Sequence, residues 1–154
     1  MTDTPNIMIV EARFYPEISD ELAAGATEAL EGAGASYERF AVPGAFEIPA
    51  AIRMALRAEE LDPGRRRFDG YVALGCVIRG ETTHYDYVCS ESARGLQVLA
   101  LEYGVAIGNG ILTVENSEQA WVRARRDRKN KGGDAARACL AMIELKRRFG
   151  LLIR

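Results

Sequence analysis

Along this chain the apolar residues switch repeatedly between the alternation of a strand and the wider spacing of a helix, which leaves few folds open. NIMIVE at 6–11 reads as a short buried strand, followed by a loop at Arg13-Phe14-Tyr15-Pro16. Leu22, Ala26, Leu30 and Ala33 recur at helical spacing, so a helix is predicted from Ser19 until Gly32 and Gly34 end it. YERFAV at 37–42 alternates as a strand and stops at Pro43-Gly44. A second helix is predicted over 47–61, with Pro49 tolerable only in its first turn. The turn Asp62-Pro63-Gly64 leads to a third strand over 69–78, apolar enough to be buried on both faces. Thr83 is placed to cap the next helix with Asp86 completing a capping box, and Gly104 supplies its stop after Tyr103. VAIGNGILTV at 105–114 is the fourth strand, and Asn116 with Gln119 opens a short helix through Trp121. Ala135, Cys139, Met142, Leu145 and Phe149 mark the apolar face of a last helix.

Strand–helix–strand passages of this kind close as right-handed crossovers, so the strands run mainly parallel and the helices cover both faces. The expected fold is a single three-layer α/β/α domain over residues 1–154 with a four-stranded, mainly parallel sheet, and residues 1–5 form a flexible tail. At 154 residues, 48% hydrophobic and 27% charged, the chain has the size and composition of one soluble globular domain. A net charge of −2 offers no general attraction to nucleic acid or to an anionic membrane. No apolar run is long enough to span a bilayer, and MTDTPNIMIV lacks the layout of a signal peptide. Cys76, Cys89 and Cys139 are odd in number and have no metal-type spacing, so they read as small core residues of a cytoplasmic protein.

In open parallel sheets, ligands bind beyond the carboxyl ends of the strands. The four loops expected there are RFYP, PGAFEIP, RGETTH and TVEN. RGETTH has two readings. It is either a plain turn with a threonine cap, or an anion site in which Gly80 lets the backbone turn closely while Glu81, Thr82 and Thr83 present N–H groups at a helix N-terminus. His84, the one histidine in the chain, is then either a packed or surface imidazole or a group passing a proton beside bound phosphate. Arg123 belongs to a basic stretch with three readings: a solvated surface, a nucleic-acid patch, or a guanidinium pointing back to the same sheet edge. Phe14 is either a loop residue or a ring lying flat on a planar ligand, whereas Trp121 reads as core. No dinucleotide fingerprint, phosphate-binding P-loop or zinc spacing is present, and none of the three lysines lies at a strand end.

Four segments, VPGAFEIP at 42–49, GCVIRGETTHYDYV at 75–88, GILTVENSEQAWVRA at 110–124 and NKGGDAA at 130–136, together resemble the lumazine synthase (6,7-dimethyl-8-ribityllumazine synthase) family. The resemblance implies a flavodoxin-like transferase of riboflavin biosynthesis without a metal or other cofactor. Its two small-molecule substrates are 5-amino-6-(D-ribitylamino)uracil and 3,4-dihydroxy-2-butanone 4-phosphate, and its products are the lumazine, phosphate and water. It implies that Phe14 stacks on the pyrimidine, that Ala45, Phe46 and Glu47 hold the pyrimidine and ribityl chain, and that Cys76, Val77 and Ile78 offer backbone hydrogen bonds to the ring. It further implies that Glu81, Thr82 and Arg123 cradle the phosphate and that His84 moves protons. Thr83, Lys131 and Asp134 match positions near the site. The site is implied to lie between subunits of a homopentamer, with paired rings or a sixty-subunit shell as alternatives.

Two departures from the family pattern stand out. Asn109 occupies a position where many members offer an aromatic to the neighbouring subunit's pyrimidine, so stacking there is one-sided or replaced by a hydrogen bond. The segment 125–129 is strongly charged where shell-forming members often carry glycine. Two rival classes follow: a pocket that binds lumazine or flavin without turnover, and a nucleic-acid binder using 123–131, which a net-acidic chain disfavours.

Overall fold

A computed structural model describes residues 4–151. Of the expected tail at 1–5, residues 1–3 lie outside the described residues, while the Pro5 carbonyl accepts a hydrogen bond from Ser36 N at 2.9 Å. The elements run β1 (Asn6–Ala12), α1 (Pro16–Gly32), β2 (Ser36–Val42), a 3-10 turn (Ala45–Glu47), α2 (Ile48–Leu61), β3 (Gly70–Ile78), α3 (His84–Tyr103), β4 (Ala106–Val114), α4 (Ser117–Ala124) and α5 (Lys131–Arg148). The sheet order is β2-β1-β3-β4 and all three pairings are parallel. The architecture is the flavodoxin-like three-layer α/β/α expected from the alternation.

Strand periodicity divides the core in two. Ile7 and Ile9 of β1 with Val72 and Leu74 of β3 face α1 and α5, against Leu22, Ala26, Ala135 and Cys139. Met8, Val10, Tyr71 and Ala73 face the other way, against Ile48 and Ile52 of α2 and Val88, Leu96 and Leu99 of α3. Full burial of a side chain of this size contributes about 1.5–3 kcal/mol. The two glycines of β4 have a packing role: a Cβ on Gly108 would lie 1.8 Å from the Ala135 carbonyl oxygen, so α5 rests directly on the strand backbone. Gly132 meets α1 in the same way, its added Cβ falling 2.1 Å from the Leu22 carbonyl oxygen. Before it, Asn130 adopts φ 46° and caps α5 through its Oδ1, which accepts from Gly133 N at 3.2 Å. The NKGG stretch is thus a left-handed cap followed by a close helix crossing.

Several local expectations change. α1 begins at Pro16, three residues before Ser19, because proline suits the first turn, where its missing N–H has no partner to lose. The capping box of α3 does not form: Thr83 makes no side-chain cap bond, and Asp86 turns instead to Arg79. α4 extends beyond Trp121 to Ala124, with the expected cap present as Asn116 Oδ1 accepting from Gln119 N at 2.9 Å. The buried face of α5 is Gly132, Gly133, Ala135, Ala136, Cys139 and Ile143, and Met142, Leu145 and Phe149 are exposed. Helix–strand contact this close selects the small side chains and leaves the larger stripe outside.

Candidate active site

With every strand parallel, the loops after β1, β2 and β3 gather at one edge of the sheet, beside the first turns of α3. Phe14 and Tyr15, Pro43 to Glu47, Cys76 to Ile78, Gly80, Thr82, His84, Tyr85 and Val88 line one cleft there, with a volume of about 400 Å³. That is the size of a small-molecule site. Phe14 is 69% exposed and Phe46 53% exposed, so two largely exposed aromatic rings from different loops border the cleft.

The loop carrying Phe14 is anchored from below. Glu11, buried at the end of β1, receives Arg39 Nε at 2.5 Å and Arg13 Nη1 at 2.9 Å, and Arg13 also pairs with Asp20 of α1. The Tyr15 ring then meets Phe14 edge to face, with centroids 5.0 Å apart. Burial pushes the Tyr15 hydroxyl above its ordinary value, and the neighbouring Cys76 adds to this. Cys76 itself is buried, and that burial pushes its thiol up to about 11. At neutral pH it is a protonated wall residue and not a nucleophile.

The Gly80 to His84 segment is exposed, and its internal bond is a threonine turn: Thr82 Oγ1 accepts from His84 N at 3.3 Å. Gly80, Thr82 and His84 line the cleft, whereas Glu81 and Thr83 are exposed and do not. Arg123 is half-buried on α4 and its Nη1 donates to the Gln119 carbonyl, outside the cleft lining. Lys131 and Asp134 pair at 3.7 Å in the first turn of α5 and also lie outside the lining. Asn109 is exposed on the edge strand β4, its Oδ1 accepting from Ile111 N at 3.0 Å. Of the residues expected from the loops or implied by the resemblance, Phe14, Ala45, Phe46, Glu47, Cys76, Val77, Ile78, Gly80, Thr82 and His84 line one cleft. Tyr15, Pro43 and Gly44 belong to the expected RFYP and PGAFEIP loops without an assigned role, and Tyr85 and Val88 were missed as walls. Val88 was legible in principle, since it follows His84 by four residues on the same helix face. Among the described residues no group of three or more His, Cys, Asp and Glu side chains is placed to hold a metal ion, and no helix is long and apolar enough to cross a membrane.

Residues 4–147 match the family model of 6,7-dimethyl-8-ribityllumazine synthase. The chain is 60% identical over 145 residues to 6,7-dimethyl-8-ribityllumazine synthase 1 of Rhizobium meliloti (strain 1021), covering 94% of each chain. It is 59% identical over 146 residues to the synthase of Agrobacterium fabrum, covering 95% of this chain and 97% of that one.

The chain belongs to the 6,7-dimethyl-8-ribityllumazine synthase family.

The match reaches the synthase of Bartonella tribocorum as well, at 57% identity over 150 residues, 97% of this chain and 95% of that one. As a lumazine synthase family member it is a transferase of riboflavin biosynthesis, acting on small molecules and assembling as an oligomer. All four cleft-forming segments, from Phe14 to Val88, fall inside the matched range.

Proposed function

We propose that residues 1–154 act as one domain that condenses 5-amino-6-(D-ribitylamino)uracil with 3,4-dihydroxy-2-butanone 4-phosphate to 6,7-dimethyl-8-ribityllumazine, phosphate and water. The observation that carries this reading is one cleft lined both by the exposed rings of Phe14 and Phe46 and by Thr82 and His84. The rings suit a flat pyrimidine. Backbone groups of Cys76 to Ile78 run along the strand end where ring amides would pair, and Glu47 faces the ribityl hydroxyls. The phosphate goes to Thr82 and the backbone of Gly80 and Glu81, with Arg123 turning in from α4.

The chemistry then asks for proximity and proton transfer. The primary amine of the pyrimidine attacks the ketone carbonyl and water leaves, giving an imine between the two substrates, so no lysine is consumed. Holding the partners together supplies several kcal/mol of the barrier reduction. Phosphate departs as its charge is taken up by the loop and Arg123, the resulting enol tautomerises to a ketone, and the ribitylamino nitrogen attacks that carbonyl, whose oxygen leaves as a second water as the ring closes. His84 moves the protons at these stages. Product formation above the protein-free rate with both substrates present, and with neither alone, tests the reading.

The same reading places Asn109 toward a neighbouring subunit and makes the assembly a closed ring of five in the cytoplasm. Met54, Tyr87 and Leu101, at 70%, 65% and 74% exposure, leave apolar surface on α2 and α3 for such an interface. Arg126 of the charged 125–129 segment pairs with Glu21 and Glu28 of α1, so part of that segment's charge is neutralised within the subunit.

A further inference from the structure

The Gly80 to Thr83 segment carries little that would hold it still. Its threonine cap is missing, a Cβ on Gly80 would meet nothing within 4 Å, and the side chains of 81–84 are exposed. One residue closes it from outside. Arg79, directly after β3, extends the ladder through its N–H to the Val114 carbonyl at 2.9 Å. Its Nε donates to Glu115 Oε2 at 3.0 Å, its Nη2 to Asp86 Oδ1 at 3.4 Å, and its guanidinium carbon lies 4.3 Å from the Tyr85 ring centroid. The side chain therefore joins the start of the loop to its end, and both to the end of β4. Glu115 continues the connection: its N–H donates to Gln119 Oε1 at 2.8 Å, and the Gln119 carbonyl receives Arg123.

We propose that Arg79 is a positioning residue, whose bridge from Glu115 to Asp86 and Tyr85 fixes the Gly80 to His84 loop, and with it the His84 imidazole, against the cleft. The proposal rests on the condensation reading of the site, since His84 must act in the reaction for its placement to matter. Arg79 is not part of the cleft lining. It acts by keeping Thr82 and His84 within reach of the phosphate-bearing substrate while Arg123 is held on the same linkage from the other side. A misplacement of about 1 Å at a reacting group can lower a rate about 10²-fold, so a loosened loop is expected to be felt at the chemical step.

The test is a double-mutant cycle in the assembled full-length protein, with kcat and KM measured for each substrate. Arg79→Ala should lower kcat about tenfold or more and raise KM for the phosphorylated ketone, leaving KM for the pyrimidine amine near the wild-type value. In a His84→Ala background the same substitution should lower kcat much less, because the group it positions is gone. Arg79→Lys should restore only part of the rate, since an ammonium reaches one carboxylate without the fork. Glu115→Gln should reproduce the pattern more weakly. The melting temperature should stay near wild type, as exposed ion pairs contribute little to stability. An unchanged kcat in Arg79→Ala, or an equal loss in both backgrounds, overturns the proposal. Absence of lumazine formation by the wild-type protein would overturn the condensation reading itself, whereas a normal rate in His84→Ala would overturn the positioning proposal and leave that reading in place.

Discussion

Arg123 Nη1 donates to the carbonyl oxygen of Gln119 at 3.1 Å, which folds the guanidinium back along its own helix. Binding phosphate would exchange a neutral acceptor for a charged one, and charge-assisted bonds are the stronger kind. Arg123→Ala is therefore expected to lower kcat/KM for the phosphorylated ketone about 10²-fold, as loss of one preorganised donor to a developing anion does. Lysine at 123 should recover only part. Steady-state kinetics with that substrate varied checks it, and normal values would remove Arg123 from the phosphate site.

His84→Ala should slow turnover at the lower end of the range for general acid–base catalysis, about 10²-fold, because the substrate amines and water can carry some protons themselves. The side chain is exposed, so circular dichroism and melting should be unchanged. Equal maximal rates at saturating substrates would contradict the role.

Much of this site was legible because its residues follow short strands. Phe14, Phe46 and His84 each lie just past a run whose apolar pattern marks a strand end, and parallel strands bring such loops together. The turn chemistry was not legible. Thr83 and Asp86 have the capping-box spacing, but Arg79, seven residues before Asp86, draws that carboxylate away, and Thr82 makes the turn instead. α5 misled for a related reason. Met142, Leu145 and Phe149 recur at helical spacing and outweigh glycine and alanine in any apolar count, yet only small residues allow the approach to Gly108 and Leu22. Close backbone contact is a property of two distant segments and leaves no mark in either alone.

That contact gives a stability prediction. Gly108→Ala should destabilise the fold by about 3 kcal/mol, since the clash is with the Ala135 carbonyl and not with a flexible side chain. Gly32→Ala, where an added Cβ meets nothing within 4 Å, should be neutral or slightly stabilising. Denaturant unfolding of both variants makes the comparison, and equal midpoints would contradict the packing.

The thiols should react in order of burial. Burial holds Cys76 up at about 11 and Cys139 at about 12, and Cys89 is only partly covered. A raised value means that the reactive thiolate is scarce at pH 8 and grows as pH approaches the shifted value. Alkylation followed by mass spectrometry should therefore modify Cys89 first at pH 8 and reach Cys76 only in stronger base, and the pyrimidine substrate should slow labelling of Cys76. Rapid modification of Cys76 at neutral pH would contradict its place in the cleft wall.

The assembled protein, incubated with 5-amino-6-(D-ribitylamino)uracil and 3,4-dihydroxy-2-butanone 4-phosphate, decides the central claim when lumazine and inorganic phosphate are quantified in the same samples. The account predicts that both appear together, in equal amounts and well above the protein-free rate, with a sharp fall in Arg123→Ala. Tight binding of lumazine with no phosphate release above background would contradict it, leaving a binding pocket in place of an enzyme.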